Sequence, residues 1–291
     1  MKPDPAAPWT VQRMLAWMTQ DLAALGIPSP RLDAELLLGH ALACDRVRLY
    51  LDMQRPLDAD ELARVRCLVV RRRRREPVAY ILGEREFYRR SFAITPDVLV
   101  PRPETEVLVD RALEALPASA TRALDLCAGS GVIAITLALE RETLQVDATE
   151  LSEPALAVAR TNAERLGAAG RVRFHHGDLF AGLIAAGDFD LIVANPPYVR
   201  EGEYAELAPE ITRHEPRLAL VAGSDGLSVI ARICAAAADY LRPGGVLLME
   251  VGRGQAQDTI ALLRRDARFV EFAAHRDLAG IERVVDARLR T

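Results

Sequence analysis

The sequence predicts an α/β protein. Its expected core is a mostly parallel seven-stranded sheet with helices on both faces, preceded by a small all-α bundle and a β-hairpin connector. Three observations carry this. Residues 1–80 show helical periodicity alone, and residues 81–103 switch to a short strand-like pattern broken by Thr95-Pro96-Asp97. From residue 104 onward, apolar strand-like runs alternate with helical stretches. The expected organisation is a helical domain over 1–80, a hairpin connector over 81–103 and an α/β domain over 104–291, and 291 residues suit two domains of ~150 each.

Each element has a local reason. Thr10 is placed to cap a first helix whose apolar positions Val11, Leu15, Met18, Leu22 and Leu25 recur three and four apart, ended by Gly26 and Pro28. Ser29-Pro30 opens a second, with Leu32, Leu36, Leu37 and His40 expected on one side. Asp58 followed by Glu61 reads as a capping box for a third, which carries Leu62, Val65, Val69 and Val70 and stops before Pro77. Trp9 and Trp17, eight apart, are expected in the bundle core. Phe87, Tyr88, Phe92, Ile94, Val98 and Val100 supply the hairpin. Strands are expected at 122–127, 145–149, 171–176, 189–194, 245–251, 269–274 and 282–288, with helices at 131–140, 153–167, 178–187 and 225–241 separating the first five.

Charge and cysteine content narrow the function classes. The chain carries 37 basic and 41 acidic side chains, a net charge of −4, and Lys2 is the single lysine. Ten arginines between Arg64 and Arg90 face three glutamates, a local excess of +7. Overall acidity argues against generic coating of nucleic acid and leaves this block as an expected dock for a folded protein partner. Arg71–Arg75 sit at a helix end, and five consecutive residues sweep round the whole helix, so they cannot share one face. Cys44, Cys67, Cys127 and Cys234 are scattered without a CxxC pair, which fits a reducing compartment and offers no metal site. Met1–Trp9 lacks the apolar core of a signal peptide, and no run of ~18 apolar residues occurs, so a soluble cytoplasmic protein is expected.

Three motifs carry chemistry. Asp125-Leu126-Cys127-Ala128-Gly129-Ser130-Gly131 lies where the first strand of the α/β region turns into its helix; its glycines allow close backbone approach to a ligand. Glu150 ends the next strand about 20 residues later, where a carboxylate can accept both hydroxyls of a ribose. These two features suit NAD and S-adenosylmethionine alike. Asn195-Pro196-Pro197-Tyr198 follows the strand FDLIVA and decides between them. Consecutive prolines remove N–H donors and present carbonyls in a rigid frame, Asn195 adds a side-chain carbonyl, and Tyr198 adds a flat face. Together they suit a planar NH₂ group.

These segments resemble the bacterial N5-glutamine methyltransferases that modify peptide chain release factors. The likeness extends over Glu76-Pro77-Val78-Ala79-Tyr80-Ile81-Leu82-Gly83, Val100-Pro101-Arg102-Pro103-Glu104-Thr105-Glu106 and Gly177-Asp178-Leu179-Phe180. It continues through Glu215-Pro216-Arg217-Leu218-Ala219-Leu220, Asp225-Gly226-Leu227, and Glu250-Val251-Gly252 with Gln255. The resemblance implies a Rossmann-like methyltransferase sheet, a helical substrate-docking domain in front, and S-adenosylmethionine as cofactor. Cys127, Ala128, Gly129, Ser130, Gly131, Glu150, Asp178, Leu179 and Asn195 would then line the cofactor pocket. Asn195, Pro196, Pro197 and Tyr198 would hold the substrate glutamine of a Gly-Gly-Gln tripeptide, with Asn195, Pro196 and Tyr198 as the catalytic set. Cys127-Ala128 departs from the Gly-Thr frequent in the family, and Leu179 stands where an aromatic sometimes covers adenine.

An amide nitrogen is a poor nucleophile, so acceptance of its two N–H groups by the Asn195 oxygen and the Pro196 carbonyl would position it and stabilise the charge that develops. The expected partner is a release factor, with no stable nucleic-acid binding, no membrane and a monomeric enzyme. Rival readings are an adenine-N6 methyltransferase, which shares the tetrapeptide, a glutamine methyltransferase of a ribosomal protein, a non-catalytic nucleotide-binding module and an NAD oxidoreductase. His175 and His176 alternate across a strand and cannot share a metal. His214 is read as a surface residue. Arg102, Glu104 and Glu106 are read as a carboxylate-stabilised helix start, with pocket closure as the alternative.

Overall fold

Capping chemistry and apolar spacing build the helices of the first eighty residues. The computed structural model describes residues 8–183 and 187–291. The chain divides into two units: the first holds the chain up to Gly83 together with Pro209–His214, the second holds Glu84–Ala208 and Glu215–Thr291. In the first, α1 (Val11–Ala24) is capped by the Thr10 hydroxyl, which accepts the Arg13 N–H, and buries Val11, Leu15, Met18 and Leu22. Helix α2 (Pro30–Ala41) starts on its proline but turns inward a face that shares only Leu37 fully with the one expected. Ala34, Leu37, Leu38 and Ala41 are buried, whereas Leu32 and His40 are exposed. Buried polar residues explain the rotation. Asp33 meets Arg72, and Glu35 accepts from Arg31, Arg46 and Tyr50. The short α3 (Arg46–Leu51) spans too few turns to show a period in the sequence.

Helix α4 (Ala59–Arg73) has the full capping box between Asp58 and Glu61 and buries Val65 and Val69, leaving Val70 exposed. Its arginine end is an internal ion-pair network. Arg72 is buried between Asp33 (2.8 Å) and Glu210 (2.9 Å), Arg75 takes the other Glu210 oxygen at 2.9 Å, Arg71 pairs with Glu76 and Arg73 with Asp21. Four of the five arginines are therefore engaged in ion pairs within their own unit, and Arg72 is buried there. The helix α5 (Val78–Leu82) follows, ended by Gly83 at φ +76°. Trp9 precedes the α1 cap and meets Trp17 edge-on at 6.1 Å; both are half-buried at the rim of the core.

The second unit opens with the hairpin β1 (Glu84–Phe87) and β2 (Arg90–Ala93), then α6 (Glu104–Ala115). Strand β3 (Arg122–Leu126), α7 (Val132–Glu140), β4 (Gln145–Glu150), α8 (Glu153–Arg165) and β5 (Val172–His176) follow in alternation. The helix expected at 178–187 is absent over its described part: residues 178–183 form turns, and 184–186 lie outside the described residues. Strand β6 (Phe189–Ala194) is wholly buried. Helix α9 (Pro209–His214) is the segment that belongs to the first unit, where His214 Nε2 lies 3.2 Å from the Arg74 carbonyl. The expected 225–241 helix is α10 (Ser228–Ala236) plus a 3₁₀ turn. β7 (Leu241–Glu250), α11 (Ala256–Leu263), β8 (Phe269–Arg276) and β9 (Glu282–Leu289) complete the unit.

The seven strands are ordered β5-β4-β3-β6-β7-β9-β8, with parallel pairing from β5 to β7 and antiparallel pairing of β9 to β7 and β8. The chain leaves β3 toward β4 and β5, then returns to β6 on its other side, so the order reverses at β3. Ligands of open α/β sheets bind beyond the carboxyl ends of strands at such a reversal. Among the described residues no helix is long and apolar enough to cross a membrane, and no group of His, Cys, Asp and Glu could hold a metal.

Candidate active site

Sheet register gathers the site. Leu126 pairs with Thr149 on β4 and with Ala194 on β6, and Ala194 pairs with Met249 on β7. Cys127, Glu150, Asn195 and Glu250 therefore leave four adjacent strands along one edge. The β3–α7 loop needs a left-handed backbone, with φ +61° at Cys127, +54° at Gly129 and +81° at Gly131. A Cβ on Gly131 would press on Ile135 and Ala159 at 3.0 and 3.2 Å, so this glycine allows α7 and α8 to close up. A Cβ on Gly129 would meet nothing within 4 Å. The Gly129 and Ser152 N–H groups each donate to one Glu150 oxygen at 2.8 Å. Beneath the loop Asp125 accepts the Ala134 N–H, and its second oxygen is buried without a partner. Burial, reinforced by the nearby Glu150 charge, pushes its pKa up to about 8. Burial and then Glu150 likewise push the Cys127 thiol up, so it stays neutral.

A second cluster stands behind the tetrapeptide. Asn195 Nδ2 donates to Thr105 Oγ1 at 3.2 Å, and the Thr105 hydroxyl donates to Glu250 Oε2 at 2.7 Å. The Tyr198 hydroxyl donates to Glu250 Oε1 at 3.3 Å. Burial raises the Glu250 carboxyl to about 7, against the lowering effect of the Thr105 and Tyr198 hydrogen bonds and of Arg283. The loop end is clamped by Gln255, whose Nε2 donates to the Tyr198 carbonyl at 3.0 Å while its Oε1 accepts the Gly252 N–H. A Cβ on Gly226 would lie 2.4 Å from that same carbonyl.

A cavity of about 270 Å³ lies within the second unit. It is lined by Cys127, Ala128, Gly129 and Ser130 of the loop, and by Glu150, Asp178, Leu179, Asn195 and Pro197. Gly131, Pro196 and Tyr198 do not line it: Gly131 lies under the helix start, Pro196 is buried, and the Tyr198 hydroxyl points to Glu250. Asp178 is held by Arg232 at 2.7 Å. Leu179 adopts φ +53°, a conformation shared with Cys127 and uncommon for side-chain-bearing residues. Arg102 and Thr105 also line the cavity, although their segment suggested only a helix start or closure. Arg102 bonds both oxygens of buried Glu215 at 2.8 Å, fixing the 215–221 wall; Glu106 instead accepts the Tyr88 N–H.

Family models match the chain in two stretches, a PrmC N-terminal domain over residues 13–83 and a methyltransferase small domain over residues 104–223. A release factor glutamine methyltransferase of Geobacter sulfurreducens is 45% identical, with 97% of each chain covered. A protein of the same name from Bordetella pertussis is 48% identical over 88% of this chain and 93% of its own. This chain belongs to the release factor glutamine methyltransferase family. A solved methyltransferase from Pyrococcus furiosus superposes with a TM-score of 0.51 at 18% identity, covering 69% of this chain and 89% of its own, and shares the fold. The second unit of this methyltransferase is thus a Rossmann-like methyltransferase sheet, and the cavity sits at its strand-order reversal.

Proposed function

We propose that the chain transfers a methyl group from S-adenosylmethionine to the side-chain amide nitrogen of the glutamine in the Gly-Gly-Gln tripeptide of peptide chain release factors. The observation that carries this reading is Asn195: its amide nitrogen is taken up by Thr105, leaving Oδ1 as an acceptor in the cavity shared with Gly129 and Glu150.

The residues present fit the cofactor. Each Glu150 oxygen holds one backbone N–H and keeps a lone pair for a ribose hydroxyl. Gly129 faces open space, and Leu179 offers an apolar wall for a base. When bound, S-adenosylmethionine supplies an electrophilic methyl on a sulfonium sulfur that leaves as a neutral thioether. In this reading Asn195 Oδ1 accepts one N–H group of the substrate amide at the cavity, and the backbone carbonyl of Pro196, which lies outside the cavity lining, accepts the other. Those N–H groups become more acidic as the nitrogen is alkylated, so the two acceptors bind the transition state more tightly than the ground state. The product nitrogen sheds its proton to water, and no strong base is needed. The net charge of −4 argues against a generic hold on nucleic acid, and a monomer acting in the cytoplasm belongs to the same reading.

The test is incubation of the protein with purified release factors and a labelled methyl donor, followed by peptide mass mapping. The expected product is one methyl group on the Gly-Gly-Gln glutamine. Label on adenine or on a ribosomal protein, with none on release factor, would overturn the substrate reading.

A further inference from the structure

We infer that Glu250, acting through Thr105, is a positioning residue that dictates which end of the Asn195 side-chain amide faces the cavity. The inference rests on the reaction proposed above and adds a determinant to it.

The argument is one of hydrogen-bond polarity. An amide side chain presents an acceptor at one end and a donor at the other, and the two ends are nearly equal in shape. Only the oxygen end can receive the N–H of a substrate amide. Thr105 and Glu250 are 2% and 1% exposed, and although Thr105 borders the cavity, its contact with Glu250 lies behind it, away from bulk water. An ionised carboxylate can only accept. It therefore takes the Thr105 hydroxyl proton at 2.7 Å and the Tyr198 hydroxyl proton at 3.3 Å. Thr105 is left with lone pairs alone, and the Asn195 group that meets it must be the NH₂. The chain of donors runs from Asn195 to Thr105 to Glu250, and Oδ1 is turned to the cavity as a consequence.

The other charged groups facing Glu250 are Arg283, on β9, which favours its ionised form, and Glu104, on α6, which opposes it. The Tyr198 phenol is itself held above its ordinary pKa, first by burial and then by Glu250, and so remains a donor. Protonated Glu250 can donate to Thr105 instead. The hydroxyl is then free to donate to Oδ1, and the amide turns its NH₂ to the substrate.

The test compares Thr105→Val, Thr105→Ser and Glu250→Gln in the full chain, measuring kcat and KM for release factor and, separately, the S-adenosylmethionine Kd by calorimetry. Thr105→Val should lower kcat ~100-fold, the lower end of what the loss of one preorganised electrostatic contact costs, with KM and the cofactor Kd little changed. Thr105→Ser, which keeps the hydroxyl, should recover most of the loss. Wild-type kcat should fall as pH drops below about 7, and Glu250→Gln, which cannot gain a proton there, should lack that limb. Undiminished kcat in Thr105→Val, or an unaltered acid limb in Glu250→Gln, overturns the inference. A wild-type protein that binds cofactor but leaves release factor unmethylated overturns the functional reading instead.

Discussion

At the scale of single residues, the division between legible and hidden follows distance along the chain. The glycine loop, Glu150 and the Asn195–Tyr198 tetrapeptide could be read because each is a contiguous signal at a strand end. Thr105 and Glu250 stand 145 positions apart and meet only through the fold, so no spacing rule connects them, even though both lie in segments that resemble the family. Tyr198 shows the same limit: the tetrapeptide shows that it offers a flat face, while the bond from its hydroxyl to Glu250 appears only in the fold. Asn195→Ala should abolish methyl transfer while calorimetry still detects S-adenosylmethionine binding; an active Asn195→Ala enzyme would sink the proposed chemistry. Glu150→Ala removes the acceptor of the Gly129 and Ser152 N–H groups together with the ribose contact. Its cofactor Kd should rise by about two orders of magnitude, the weight of two charge-assisted hydrogen bonds.

At the scale of elements, apolar periodicity located most helices and strands, but it misjudged faces where polar burial intervenes. Of the Leu32, Leu36, Leu37 and His40 stripe expected on α2, Leu37 is buried but Leu32 and His40 are exposed, because Asp33 and Glu35 are held inside by arginines. The end of α4 carries the same lesson in reverse: a run that reads as surface charge encloses Arg72, 4% exposed. Burial raises the Asp33 carboxyl even beside Arg72, so this pair has desolvation to overcome. Arg72→Ala strips Asp33 and one Glu210 oxygen of their partner and should cost about 3 kcal/mol in urea unfolding. Arg74→Ala, at an exposed position beyond the helix, should stay within about 0.5 kcal/mol. Equal effects at the two sites would contradict the network. In the second unit, Gly226→Ala places a methyl group 2.4 Å from the Tyr198 carbonyl at φ +72°. The tetrapeptide must shift, and kcat should fall at least ~10-fold with cofactor affinity retained.

At the scale of the whole molecule, the mostly parallel sheet is legible because strand and helix periods alternate from residue 122 onward, the expected 178–187 helix being the exception. What was not legible is that the chain revisits its first unit at Pro209–His214, six residues with too little length to show a pattern. Whole-molecule stability also carries a signature of the buried acids. Asp125 and Glu250 have folded-state pKa values of about 8 and about 7, above their unfolded values, so the native state binds their protons more tightly. The stability they contribute is complete below the ordinary carboxylate range and declines as pH rises through those values. Asp125→Asn and Glu250→Gln combined should flatten this part of the pH dependence of the urea midpoint. An unchanged slope would show that neither group titrates with unfolding. The return at Pro209–His214 finally bears on how such a gene can be cut and recombined. Arg72 and Arg75 share Glu210, a residue encoded far downstream. A chimera spliced at Gly83 therefore inherits Asp33, Arg72 and Arg75 from one parent and Glu210 from the other. The transplantable module is discontinuous, and Asp33, Arg72, Arg75 and Glu210 must travel as one heritable set.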